Sequence, residues 1–374
     1  NPKTLSNNPQ LVCNVVDDNT CFEIDSTGWA GVTNGLVYCS NNSCTTIGKS
    51  INNVITTNVW QHVVMTYNGS NTCQFYVNGI NVTSNSTCSE TAGSYDTTIG
   101  GVTSGPNALN GSMDLVRTYD YVRTPAQIAW EYNRGAPVAW YRMDECSGTT
   151  IHDASGHNLT GTLTNAASPG TCTTSGSWYN GAAGVINSSI DLDGTDDMVT
   201  VADPSNASLD FNDSDFAISG WFNRDTFTTD DVIVAKRNGD AAGDVGYLVY
   251  IDDATDKLVF EVSDGTDEYS LTSTSTFTST GWNHFTVVWD DDSAAGSEIY
   301  INGKPDLATD SGTIGNIGDL SNSNPLRMGD VSDGTSTLTT HFFDGKLDDI
   351  RIFNYAPTTQ QIRDAYNNGA VSFK

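Results

Sequence analysis

Trp282-Asn283-His284-Phe285-Thr286-Val287-Val288-Trp289 alternates large and polar residues, turns through Asp290 to Gly296, and returns as Glu298-Ile299-Tyr300-Ile301 before the dipeptide Asn302-Gly303. Alternation is the period of a half-buried strand, and Asn-Gly is a favoured hairpin turn. The pattern occurs twice. Trp60-Gln61-His62-Val63-Val64 matches Trp282-Asn283-His284-Phe285-Thr286, and Tyr76-Val77-Asn78-Gly79 matches Tyr300-Ile301-Asn302-Gly303. Further on, Gly111-Ser112-Met113-Asp114-Leu115-Val116-Arg117 matches Gly345-Lys346-Leu347-Asp348-Asp349-Ile350-Arg351. Gln127-Ile128 to Gly135 matches Gln361-Ile362 to Gly369. Four segments in one order define an internal repeat.

The repeats read as short strands at the spacing of a β-sandwich. Only the last segment of each is helical. Thr124-Pro125 supplies an N-cap and a first-turn proline and Gly135 a stop; Thr358 and Gly369 do the same in the second copy. The boundary falls at Gly135-Ala136-Pro137, giving domains 1–136 and 137–374. Counting back from Trp60 by the distance separating Trp221 from Trp282 lands just before residue 1. The first copy therefore has no counterpart of residues 138–221, its opening strands. Such a sandwich exposes core and unpaired edges. Three completions stand open: strands upstream in a longer chain, strands from another chain, or a truncated sandwich stapled by disulfides.

Composition agrees with a turn-rich, all-β protein. Charged residues are 16% and aromatics 10% of 374 residues, so a core is affordable and global disorder is not expected. The net charge of −29 repels nucleic acid and anionic lipid; it suits solubility or divalent cations. No apolar run reaches the roughly 18–20 residues of a membrane span. Eight cysteines fall in neighbouring pairs: Cys13 with Cys21, Cys39 with Cys44, Cys73 with Cys88, Cys146 with Cys172. Short loops closed this way imply disulfides and an extracellular or cell-surface location, and zinc-type spacing is lacking. Sequons at Asn68, Asn81, Asn110 and Asn158 are weak candidates for glycosylation in a sequence so rich in Asn, Ser and Thr.

Trp140-Tyr141-Arg142-Met143-Asp144-Glu145-x-Ser147-Gly148 with His152-Asp153-Ala154-Ser155-Gly156 resembles the opening of laminin-G-like domains of the concanavalin A-like lectin/glucanase superfamily. Leu192-Asp193-Gly194-Thr195-Asp196-Asp197, Gly220-Trp221-Phe222, Trp282-x-His284 and Gly345-x-Leu347-Asp348-Asp349-Ile350-Arg351 strengthen it. The resemblance covers the second copy end to end and the first from about residue 10. It implies two antiparallel jelly-roll sandwiches, each closed by a short helix, the first without its opening strands. It also implies one structural calcium per complete unit. Its ligands would be Asp348 of the last strand and the loop Asp193-Gly194-Thr195-Asp196-Asp197, with Asp114 as the first unit's counterpart. Calcium takes about six to eight hard oxygens, which clustered Asp and a Gly carbonyl can supply.

Function is less legible than fold. Glycosidases of this superfamily carry Glu-x-Asp-x-x-Glu; Glu23-Ile24-Asp25 matches half, but Gly28 stands at the second Glu. His62 and His284 recur without a Ser or Cys nucleophile. A non-catalytic protein is expected. Trp178, Tyr179, Trp29, Tyr247 and Tyr250 are candidate sugar platforms, each equally explained as packing. The Asp290-Asp291-Asp292 run reads as a hairpin tip. Two readings follow: a surface recognition or adhesion protein that binds glycan or a protein partner, or a filament or surface-layer subunit whose first sandwich another copy completes.

Overall fold

The computed structural model describes the chain apart from residues 16–19, 40–46, 89–95, 102–106, 165–168, 173–175, 179–183, 212–213, 228–229, 240–242, 292, 294–295, 307–308, 332–340 and 368–374. The chain divides into two compact units, Asn1–Gly135 and Ala136–Lys374. Both are built of antiparallel strands, and among the described residues the only α-helices are Pro125–Asn133 and Thr359–Tyr366.

The second unit is a sandwich of two sheets. In the larger, the strands run Thr150–Ile151, Gly161–Thr164, Met198–Val201, Leu326–Met328, Asp231–Lys236, Gly246–Asp252, Lys257–Ser263, Glu268–Thr276 and Thr309–Ser311. In the smaller they run Ala139–Tyr141, Asp344–Phe353, Phe216–Arg224, Asn283–Trp289, Glu298–Ile301 and Lys304–Pro305; Ile190–Asp193 also pairs with Asp344–Phe353. Phe216, Ile218 and Phe222 from the smaller sheet meet Tyr247, Val249 and Phe260 from the larger in one core. Phe211 stacks on Phe216 at 4.4 Å, and Phe260 meets Phe216 edge-on. Each large side chain so buried contributes about 2–3 kcal/mol before entropy is counted.

Asp344–Phe353 is the keystone of the smaller sheet. Phe216–Arg224 lies along one edge, and Ala139–Tyr141 and Ile190–Asp193 share the other. Between the pairs Ser219–Arg351 and Trp221–Asp348 the keystone strand carries the extra residue of a bulge, Asp349 and Ile350 facing Gly220 alone, and Asp349 adopts a left-handed φ of 55°.

The first unit reproduces part of this plan. Its six-stranded sheet runs Thr83–Asn85, Ile47–Ser50, Gly35–Cys39, Thr20–Asp25, Gln10–Val15, Asp96–Ile99. In chain order this is the arrangement of the last six strands of the larger sheet above. Its second sheet, Val63–Tyr67, Cys73–Val77 and Ile80–Asn81, copies Asn283–Trp289, Glu298–Ile301 and Lys304–Pro305. Asn78 and Gly79 take φ of 53° and 82°, and Asn302 and Gly303 take 51° and 73°, so one turn type closes both hairpins. Leu11, Ile24, Leu36, Phe75 and Val77 form a smaller core. Ser112–Tyr121, the counterpart of Asp344–Phe353 and its sequel, joins no strand ladder.

Both helices start as the sequence predicts. Thr124 and Thr358 accept from the backbone N–H of Gln127 and Gln361, whose side chains reach back in two capping boxes. Disulfides join Cys13 to Cys21, Cys73 to Cys88 and Cys146 to Cys172. Cys39 is also disulfide-bonded, and its expected partner Cys44 lies outside the described residues.

Candidate ligand-binding face and acidic loops

On the larger sheet of the second unit, Tyr247, Val249 and Ile251 point into the core, so Leu248 and Tyr250 point outward. Leu248 sits opposite Glu261 and Tyr250 opposite Val259, which places Glu261 on the same outer face. Glu268 joins them through its pairing with Ser263. Asp231–Lys236 places Val232 opposite Tyr250 on this face and, after a bulge between Val232 and Val234, Ala235 opposite Leu248 and Arg327; Val232, Ala235 and Leu248 are buried there with Val331.

Arg237 organises the face. Its guanidinium is fully buried and donates to Glu261 Oε2 at 3.3 Å and Glu268 Oε2 at 3.4 Å. A buried guanidinium without carboxylates would be strongly destabilising, so the three residues hold one another. Tyr250 donates its hydroxyl to Glu261 Oε1 at 3.0 Å. Burial, then Glu261, pushes that phenol far above its usual range, and it stays a donor at any physiological pH. Arg327 donates to the Val331 carbonyl at 3.1 Å. A half-buried ring, two partly exposed carboxylates and buried cations behind them make a surface that can hydrogen-bond hydroxyl-rich ligands. Sequence reasoning weighed Tyr250 and passed over Arg237, Glu261 and Glu268. The bulge breaks the period-two pattern that leads to Arg237, whose partners lie on other strands.

The acidic residues sort into separate places. Asp193, Asp196 and Asp197 bring carboxylate oxygens within 4.8 Å of one another. Asp193 Oδ1 accepts from Thr195 N at 2.9 Å, and Ser177 Oγ donates to Asp197 at 2.9 Å. Burial, with Asp193 and Asp196 adding to it, raises the Asp197 carboxyl. Gly194 has φ of 67°, and a Cβ there would lie 2.6 Å from that of Asp344. Only glycine lets the loop sit against that strand.

Asp348 is not beside this loop. Asp193 faces Asp344, and Asp348 lies four residues further along the strand, about 13 Å away. It is fully buried and accepts from Val185 N at 2.7 Å and Ile186 N at 2.9 Å. Burial, then Asp349, pushes its carboxyl up to about 7 despite those bonds. The strand register thus sets Asp348 apart from the Asp193–Asp197 loop with which it was expected to share a cation, and backbone amides engage it instead. Asp114 is exposed and accepts from its neighbour Leu115. A second acidic cluster that sequence reading missed joins Asp230, Asp252 and Asp253, beside His341. The signal was two Asp-Asp dyads brought together by the pairing of Asp231 with Ile251.

The remaining candidates sort by burial. Trp178 is fully buried and donates its indole N–H to Gly148 O at 2.8 Å, so it is core and no sugar platform. Tyr179 lies outside the described residues. Trp29 is exposed. Tyr247 is buried. Asp25 is fully buried and accepts from the amides of Thr27, Gly28, Trp29 and Ala30. It anchors a loop. Burial, with Asp25 adding to it, holds the Glu23 carboxyl near 7. His284 is buried against Trp221 and Tyr366, and burial, then Arg351, drives it down to about 3. His62, lowered by burial, stacks on Tyr132. Asn68, Asn110 and Asn158 are exposed and Asn81 half-buried. Asn68 and Asn81 use their side-chain oxygens in turns.

A family model described as the concanavalin A-like lectin/glucanases superfamily matches residues 6–129 and 193–363. No curated protein matches the chain. Similar solved structures include botulinum neurotoxin type C, whose cell entry is described as dependent upon interaction with two ganglioside molecules, at 14% identity, TM-score 0.46, covering 64% of this chain and 53% of that one. The botulinum neurotoxin serotype D ligand binding domain in complex with N-acetylneuraminic acid follows at 14% identity and TM-score 0.45, covering 64% and 52%. The binding domain of Paraclostridial Mosquitocidal Protein 1 reaches 18% identity and TM-score 0.45, covering 62% and 52%. The chain spans about half the length of each.

Proposed function

We propose a function for this chain, which belongs to the concanavalin A-like lectin/glucanases superfamily: it is a non-catalytic extracellular or cell-surface recognition protein whose second unit binds glycan on the outer face of its larger sheet. The observation that carries this reading is the Arg237–Glu261–Glu268–Tyr250 network. It fixes two partly exposed carboxylate acceptors beside a half-buried aromatic ring, a combination that suits the hydroxyls and apolar faces of a sugar. The described acids with strongly raised carboxyls, Glu23, Asp231 and Asp348, are buried, whereas a general acid must reach its substrate. The disulfides support an oxidising compartment. Among the described residues no helix is long and apolar enough to cross a membrane.

A glycan array probed with the full chain tests the reading. Retention of a glycan class is expected, with Tyr250→Ala and Glu261→Gln each weakening it at least 10-fold. An array with no ligand, or variants that bind as the parent does, overturns it.

Calcium belongs to the same reading, at Asp193, Asp196 and Asp197. Their three convergent carboxylates fit a hard cation, and the Gly194 carbonyl and water would complete its shell. A chelator is expected to lower the melting midpoint of the second unit by several degrees. Asp197→Asn should abolish the difference. An unchanged midpoint in the parent speaks against the metal.

The second reading, a filament or surface-layer subunit completed by another copy, draws on one observation. Every exposed large apolar side chain among the described residues lies in the first unit. Electron microscopy of the purified chain separates the two, since the first expects particles and the second filaments.

A further inference from the structure

The outer face of the second unit's larger sheet is a surface of acceptors. Glu261 and Glu268 bring two carboxylates to it, with side chains 13% and 30% exposed, against the single guanidinium of Arg237, fully buried behind them. The donors of the network are spent inward. Arg237 gives to the two carboxylates, and the Tyr250 hydroxyl gives to Glu261 Oε1 at 3.0 Å. Two carboxylates against one guanidinium leave a negative charge over, on the side of solvent. The register adds Ser270 opposite Glu261 and Thr272 opposite Val259, both half-buried, and their hydroxyls can donate or accept.

The charge continues past the ring. Asp252 lies two residues from Tyr250 on one strand, and so on the same side of the sheet. Asp230 and the exposed Asp253 join it, their carboxylate oxygens within 4.8 Å of one another. Burial is the first cause of the raised Tyr250 phenol, and Glu261, Asp230 and Asp252 each add to it, so the field at the ring is negative. Cations offset little of this from outside. Lys236 and Arg327 of the same sheet are buried. Lys257 stands opposite Asp252 at the end of its strand, and His341 Nδ1 lies 3.4 Å from Asp230.

A ligand that covers this face strips water from its carboxylates. A neutral hydroxyl restores the lost hydrogen bond but leaves the charge uncompensated, and an anion adds to it. An ammonium supplies both the bond and the charge. Its charge-assisted hydrogen bonds are about twice as strong as neutral ones, and it is attracted to the face of an aromatic ring.

Resting on the glycan reading above, we propose that the sugar taken by this face is an amino sugar with an unacetylated, protonated nitrogen, and that sugars bearing carboxylate, sulfate or phosphate are rejected. Glu268, the more exposed carboxylate, takes the amine. Tyr250 takes an apolar face of the oligomer.

Calorimetric titration of the full chain in a slightly acidic buffer tests the proposal. Three probes of equal length are compared: an oligomer of glucosamine, its fully N-acetylated form, and an oligomer of galacturonic acid. The glucosamine oligomer is expected to bind at least ~10-fold tighter than the acetylated one, and the uronic oligomer to give no heat. Tyr250→Ala should weaken whatever binds. Glu268→Gln removes the excess charge while Arg237 stays paired with Glu261, and it should cut the preference for the amine several-fold. Asp253→Asn, at an exposed position, gives a second measure in the same direction. Asp120→Asn, an exposed charge of the first unit, should leave the preference as it was. Equal binding of the amine and acetylated forms, lost together in Tyr250→Ala, overturns the amine and keeps the glycan reading. Tyr250-dependent binding of the uronic oligomer overturns the rejection of anions. A preference that Asp120→Asn lowers as much as Glu268→Gln does is adsorption to the acidic chain as a whole, and overturns the assignment to this face. Retention of no sugar of any class removes the glycan reading itself, and this inference with it.

Discussion

Asp348 shows how little a residue type says about its task. Its sequence context suggests a cation ligand, yet its carboxylate is sealed in and capped by two amides. An ionised carboxylate there is costly, so burial drives its proton affinity upward. The folded state therefore holds the proton more tightly than the unfolded chain. The stability this contributes is complete below about pH 4 and is lost as pH rises to about 7. Asp348→Asn keeps an oxygen for Val185 and Ile186 but carries no charge. Urea unfolding should show a flatter pH dependence for the second unit between pH 4 and 7. At pH 8 the variant should be more stable, by ~2 kcal/mol. A parallel pH profile for parent and variant refutes this account.

At the scale of elements, one motif serves two environments. Ile350 is buried in a paired strand, and Val116, at the same place in the repeat, belongs to a segment with no ladder. Truncation should separate them. Ile350→Ala opens a cavity and is expected to destabilise the second unit by about 2–4 kcal/mol. Val116→Ala removes a half-exposed side chain and should cost under about 0.5 kcal/mol. Two-transition calorimetry reads both. These elements also show what could be read from sequence. The helix starts were plain because Thr124 and Thr358 act on residues three positions away. The Asn-Gly turns were plain for the same local reason. The face of Arg237, Glu261 and Glu268 was not, because a bulge at Val232 shifts one strand by a residue and the partners come from three strands. The site of Asp348 was hidden too, since its partners lie about 160 residues earlier in the chain.

The whole molecule repeats one plan at two contact ranges. In the first unit Val63–Tyr67 and Cys73–Val77 are neighbours in the sequence and pair across a short turn. In the second, Asp344–Phe353 must find Ala139–Tyr141, about 200 residues earlier. Closing so long a loop costs entropy before the strand pairing repays it. In refolding from urea, pulsed hydrogen exchange is expected to protect Val63–Tyr67 before Asp344–Phe353. Simultaneous protection overturns this order. The keystone of the second unit is thus also the last piece of it to arrive.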